Sequence, residues 1–195
     1  MSGALPWILA GVVLMAVVHV TFVAAFPYIV MAIARRVVRS PINQGLHLPP
    51  TTAEVRSAGR FRNLRLIFEA FGGRASSESR SVVRPSPDLL YSACVYDVSQ
   101  KALRIRARVP GTYWSISFFA NNTDNFFVMN DMQIAARDVT FILVGKGRTY
   151  KAPSGARVVE AQSDRGIVLL RTLIKDQDGV DELIAIQKQA IFEEV

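Results

Sequence analysis

No charged side chain precedes Arg35 in this chain. A run from Met1 to Ala34 without a single charged side chain exceeds the roughly 20 helical residues needed to cross about 30 Å of hydrocarbon. That run is expected to be a single transmembrane anchor, occupying residues 1–34. Trp7 and Tyr28 lie 21 residues apart, about 32 Å along a helix at roughly 1.5 Å per residue. Amphipathic aromatic rings collect at the two membrane interfaces, so these two bracket a helix core from Ile8 to Phe26. Pro6 suits a first helical turn, where its missing N–H costs nothing, and Pro27 suits the opposite border. A cleaved signal peptide would carry a basic n-region and a shorter apolar core. Here no Lys or Arg stands ahead of the segment, which favours an uncleaved anchor. His19 lies inside the span, where it reads either as a proton or metal group or as a neutral imidazole bonded to a backbone carbonyl.

The charges that follow are unevenly distributed. Between Met31 and Arg84 there are ten arginines against Glu54, Glu69 and Glu78, which accounts for the whole formal net charge of +7. From Pro85 onward 13 basic residues balance 13 acidic ones. The basic character thus belongs to a membrane-proximal collar beginning with Arg35, Arg36 and Arg39, suited to a bilayer with anionic head groups. The neutral remainder shows no basic face with interleaved aromatics, so nucleic acid is not an expected partner. These arginines, by the positive-inside rule, favour a cytoplasmic C-terminal domain.

Residues 35–80 read as a linker. Pro41, Gly45, Pro49 and Pro50 argue for an extended or turning segment. Thr51-Thr52-Ala53-Glu54 then forms a capping-box pattern, and Ala58, Phe61, Leu64, Phe68 and Phe71 recur at helical spacing up to Gly72-Gly73. An amphipathic helix is expected there, lying either on the membrane interface or on the following domain.

In residues 81–195 the period changes. Leu103, Ile105 and Ala107 alternate with Arg104, Arg106 and Arg108, the signature of a strand with one dry face. Other expected strands are Leu90–Val98, Thr112–Phe119, Phe126–Met129, Val139–Val144, Arg157–Gln162 and Ile167–Ile174, separated by turn-forming clusters. Seven short strands predict a mainly β sandwich or barrel, closed by a C-terminal helix over about Val180–Phe192.

Catalytic chemistry is scarce. The two histidines, His19 and His47, both precede the β domain, so neither a Ser-His-Asp nor a Cys-His arrangement can be built within it. Cys94 is the sole cysteine and falls in an apolar strand, where it reads as a small buried hydrophobe. No metal site and no cofactor is expected. Asp88, Asp97, Asp124 and Asp131, with several asparagines, serve either general acid/base or cation chemistry or, more simply, turn formation. A candidate polar network comprises Arg84, Asp88, Tyr91, Asp97 and Asp124. Candidate binding aromatics are Tyr113, Trp114, Phe118, Phe126 and Phe127.

Arg84-Pro85-Ser86-Pro87-Asp88-Leu89-Leu90-Tyr91-Ser92, followed by Val95-Tyr96-Asp97-Val98-Ser99, resembles the opening of the bacterial domain of unknown function 1254. Val109-Pro110-Gly111-Thr112-Tyr113-Trp114-Ser115, Asn122-Thr123-Asp124-Asn125-Phe126 and Gly166-Ile167-Val168-Leu169-Leu170-Arg171-Thr172 continue the similarity, which spans roughly Ser81 to Gln189. The chain looks most like the short, membrane-anchored proteobacterial members. That resemblance implies a jelly-roll-like β-sandwich, an inner-membrane single-pass protein with its outer domain exported, and partners carrying the related domain 1214. Larger members tend to show Asn-x-Asp-Thr-Leu-Tyr where this chain has Ser86-Pro87-Asp88-Leu89-Leu90-Tyr91, so an activity inferred from them does not transfer directly. Two functions follow: a non-catalytic envelope accessory subunit binding a partner protein or an apolar ligand, or a hydrolase-like enzyme using carboxylates around Asp88, Asp97 and Asp124.

Overall fold

The computed structural model describes residues 3–39, 66–68, 86, 88–175, 179–187 and 189–195. The uncharged N-terminal run forms one helix, α1, over Leu5–Arg39, long and apolar enough to cross a membrane. Its 35 residues amount to about 52 Å at roughly 1.5 Å per residue, well beyond a hydrocarbon layer of about 30 Å. The helix does not stop at Pro27, which lies inside it. The reason is tertiary. Met31, only 4% exposed, packs with Val95 and Ile167, and Ala34, Ala93 and Phe119 close around them. Burial of these apolar groups offsets the hydrogen bond that proline removes.

Nine strands follow among the described residues: β1 Leu66–Phe68, β2 Leu89–Asp97, β3 Leu103–Arg108, β4 Trp114–Ala120, β5 Asn125–Asn130, β6 Asp138–Val144, β7 Ala156–Glu160, β8 Arg165–Leu173 and β9 Ile191–Glu194. A short helix, α2 over Val180–Gln187, precedes β9. The strands form two sheets, ordered β1-β2-β8-β4-β5 and β7-β6-β3-β9. Pairing is antiparallel except between β6 and β7. This is the mainly β sandwich that the strand count predicts, with the expected alternation clearest in β3, where Leu103, Ile105 and Ala107 face inward.

The core between the sheets contains Tyr96, Trp114, Phe118, Phe141 and Leu170, all fully or almost fully buried. Phe118, Phe127 and Phe141 stack edge to face, with ring centroids 5.4 to 6.1 Å apart, a geometry that aromatic quadrupoles favour. Cys94 is 0% exposed, as its apolar strand suggested. At Gly166 no side chain fits: a Cβ would collide with the Phe119 carbonyl oxygen and the Tyr96 ring. The absent side chain lets Tyr96 cross over β8 and donate its hydroxyl to the Phe119 carbonyl at 3.2 Å.

Two expectations are corrected. Residues 66–68 lie in the stretch read as an amphipathic helix, yet they form an edge strand on β2, with Leu66 opposite Cys94 and Phe68 opposite Ser92. An apolar run of Leu, Ile and Phe is as compatible with a strand as with a helix, and sheet pairing overrides the local period. The rest of that stretch lies outside the described residues. At the C-terminus the helix ends at Gln187 instead of running to Phe192. The final residues pair antiparallel with β3, burying Phe192 and leaving Ile191 exposed. Cross-strand charges complement this register. Glu193 accepts Arg104 at 3.1 Å and Arg106 at 3.2 Å, and Lys101 reaches Glu194 at 3.4 Å.

Candidate functional site

One end of the sandwich meets the anchor. Tyr28 lies one helical turn before Met31, so this aromatic ring is brought up against the turns at the foot of the β domain. Between them is a cleft of about 570 Å³. Tyr28 and Phe126 supply aromatic surface, Asn121, Asn122, Gln162 and Ser163 supply amides and a hydroxyl, and Lys146 and Glu160 supply one charge of each sign.

Short-range bonds hold these groups in place. The Asn121 backbone N–H donates to Ser163 Oγ at 2.8 Å, and that hydroxyl donates to the Arg165 carbonyl at 2.8 Å, which ties the β4–β5 turn to the β7–β8 turn. Asn122 Nδ2 donates to Asp124 Oδ2 at 2.6 Å, while the Asp124 N–H returns to Asn122 Oδ1 at 3.3 Å. Thr123 between them has φ 73°. A β-branched residue in that left-handed region costs on the order of 1–3 kcal/mol, so surrounding bonds hold the turn in this shape. The Gly147 N–H donates to Glu160 Oε1 at 2.8 Å, which fixes the β6–β7 loop carrying Lys146. The Asn121 side-chain oxygen in the cleft wall is buried without a hydrogen-bond partner among the described residues.

The sequence-predicted polar network separates into pieces. Asp88 is exposed, and its backbone N–H meets Ser86 Oγ at 3.4 Å. Tyr91 Oη accepts the Ser86 N–H at 3.1 Å, so these two residues fasten the start of β2. Asp97 lies at the other end of that strand, about 30 Å from Asp88 at roughly 3.3 Å per residue. It accepts the Ser99 hydroxyl at 2.6 Å and Arg165 Nε at 2.8 Å. Burial disfavours its ionised form, but the Ser99 and Arg165 hydrogen bonds outweigh that and hold the carboxyl below its ordinary range. Asp124 belongs to the Asn122 turn. Arg84 and His47 lie outside the described residues. The contacts seen tie Asp97 and Asp124 to turn and strand-end fastening and leave Asp88 a strand's length away from Asp97. No group of three or more His, Cys, Asp or Glu among the described residues could hold a metal ion.

The aromatic set also divides. Trp114, 2% exposed, and Phe118, 0% exposed, are core residues and not binding surface, because the inward positions of β4 carry them between the sheets. Phe126 and Phe127 are partly buried against the core. Phe126 reaches the cleft, and the Arg157 guanidinium sits 5.3 Å over the Phe127 ring. Tyr113 is 40% exposed. Trp7 and Tyr28 are exposed on α1, as are His19 and Arg36, while Arg35 is half-buried; Arg39 ends the helix. Lys146, Gln162 and Ser163 were not singled out by sequence reasoning. Their signal was weak: each sits in or beside a turn cluster, and nothing local says that three turns converge on a helix.

Comparison with known proteins places this architecture. The family model described as protein of unknown function, DUF1254, matches residues 68–194. Among solved structures, the VPA0106 protein from Vibrio parahaemolyticus superposes with a TM-score of 0.51 at 13% identity, over 55% of this chain and 28% of that protein. An uncharacterized protein from Burkholderia cenocepacia gives a TM-score of 0.38 at 18% identity, over 57% and 30%. The chain thus matches under a third of either protein's length. No curated protein matches it.

Proposed function

The chain belongs to the DUF1254 family, and we propose that in this member the sandwich serves as a membrane-anchored, non-catalytic binding module. Its ligand is an amphiphile whose polar head occupies the cleft at the foot of the domain. One observation carries the reading: the cleft wall includes Tyr28 of the anchor itself. Tyr28 follows the apolar span directly, so the cleft mouth lies at head-group depth, where an apolar tail can remain in the bilayer. Lys146, Glu160 and the amides match a polar or zwitterionic head, and the Ser163 hydroxyl there is engaged with the Arg165 carbonyl. Arg35 and Arg36, just above Tyr28, favour anionic lipid by about 1 kcal/mol each.

A partner protein, such as one carrying the related domain 1214, would use the opposite end, where Tyr113, Val128 and Met132 are exposed. The domain is proposed to face the outside of the inner membrane.

The test uses full-length protein extracted in mild detergent, with co-purifying small molecules identified by mass spectrometry. Wild type is expected to retain a stoichiometric amphiphile. Lys146→Glu combined with Phe126→Ala is expected to lose most of it while keeping the β-sheet circular dichroism. Equal retention by the double variant would refute the cleft as the site.

A further inference from the structure

His19 takes no part in the cleft. It lies inside α1 and is exposed, and its side chain makes no hydrogen bond among the described residues. With Tyr28 at a membrane interface, His19 sits nine residues deeper, about 14 Å along the helix and close to the middle of a hydrocarbon layer of about 30 Å. An imidazole there keeps a ring N–H and a ring-nitrogen lone pair that lipid tails cannot satisfy. Thr21 has an answer within its own helix, since a threonine hydroxyl can bond the carbonyl one turn back. The histidine ring needs a partner from outside the helix.

The span is apolar on every side, so apolarity alone selects no face of it; His19 does. Steps of seven residues from His19 reach Leu5, Val12, Phe26 and Ile33. Three residues beyond Leu5, Val12, His19 and Phe26 come Ile8, Met15, Phe22 and Ile29. Together they make one seam with the mean spacing of left-handed helix pairs, and its apolar members are between 49% and 67% exposed. Tyr28, two and a half turns from His19, lies on the opposite side of the helix with the cleft that it lines. The sandwich rests on Met31 and Ala34 and leaves Ile29 and Ile33 uncovered. The seam is therefore open along its whole length of about 42 Å, more than a hydrocarbon layer of about 30 Å covers.

A second copy of the chain fits this seam. Copies that insert with their sandwiches on one side of the membrane lie parallel, and a two-fold axis along the membrane normal brings identical residues together at one depth. A neutral imidazole donates from one nitrogen and accepts at the other, so it is complementary to its own copy. A single polar residue in an otherwise apolar seam also fixes register and oligomeric state.

We propose that α1 pairs with α1 of a second copy along this seam, the two His19 rings hydrogen-bonded across the axis. The inference rests on α1 crossing the bilayer, as the proposed function does, and the test separates the two. The full-length protein is probed in native membranes with one added cysteine at a time; Cys94, 0% exposed, is out of the oxidant's reach. Alkaline carbonate comes first, and release of the protein from the membranes overturns the anchor reading and this one together. In retained protein, Val12→Cys and Phe26→Cys are expected to give disulfide-linked dimers with copper-phenanthroline. Val17→Cys, on the far side of the helix, is expected to stay monomeric. Energy transfer between labelled copies in detergent micelles then measures association. His19→Leu is expected to weaken it roughly threefold to tenfold, the worth of one hydrogen bond between membrane helices. His19→Asn, which keeps a donor and an acceptor, is expected to retain part of it. The proposal is overturned, with the anchor reading left standing, if retained protein stays monomeric, cross-links equally at position 17 or to a different protein, or if His19→Leu associates as tightly as wild type.

Discussion

Asp97 takes the structural one of the two roles that the sequence left open for the aspartates. Its carboxylate takes bonds from the Ser99 hydroxyl, the Ser99 backbone N–H and Arg165, all at the point where β2 ends and β8 begins. Its pKa is depressed in the folded state, so the stability it contributes is present above the unfolded value near 3.9 and is lost as pH falls through the folded value. The side chain is still 29% exposed and Arg165 61%, which limits the contribution to about 1 kcal/mol. Asp97→Asn is expected to lower the melting temperature by a few degrees at pH 7, and the gap to wild type is expected to close below about pH 4. Thermal unfolding across that pH range measures it; a gap independent of pH would contradict the assignment. Tyr96 makes the complementary point, since burial pushes its hydroxyl well above the ordinary phenol range. It is therefore a neutral donor to the Phe119 carbonyl, and the room for that bond comes from the missing side chain of Gly166.

Among the elements, the C-terminal strand was the least legible. Leu183, Ile184, Ile186 and Gln187 follow a helical spacing, and nothing in Ala190-Ile191-Phe192 announces a change of period over so few residues. What decides it is β3, whose free edge and wet-face arginines accept β9 and its glutamates. An edge strand left open is also an invitation to aggregate, which adds to the advantage of covering it. The strand assignment predicts opposite outcomes at adjacent positions. Phe192→Ala removes a buried ring and is expected to cost about 3–5 kcal/mol, whereas exposed Ile191→Ala stays within about 1 kcal/mol. Chemical denaturation of the two variants checks this, and a helix through Phe192 would not produce that contrast. The anchor behaves in the same way: Pro27 reads locally as a boundary, yet the helix continues because Met31 and Ala34 find a sheet to pack on.

At the scale of the molecule, the sandwich stands directly on the anchor, so its orientation follows from the side on which α1 emerges. With the domain outside the cytoplasm, a phosphatase fused after Val195 is expected to be active and a cytoplasmic fluorescent reporter at that position dark; the reverse pattern would place the domain inside, as the arginine count alone suggests. The sequence by itself determined the apolar span, the basic collar, the mainly β class and the position of nearly every central strand. Those features are written in composition and in periods of two or 3.6 residues, which short windows contain. Only the tertiary structure decided the edge strands β1 and β9, the helix beyond Pro27, the burial of Trp114 and Phe118, and the dispersal of the aspartates. It alone brought Tyr28 to the turns at the foot of the sandwich. The physical reason is common to all of these: each depends on partners distant in sequence, whose pairing and burial outweigh local preferences of about a kilocalorie per residue.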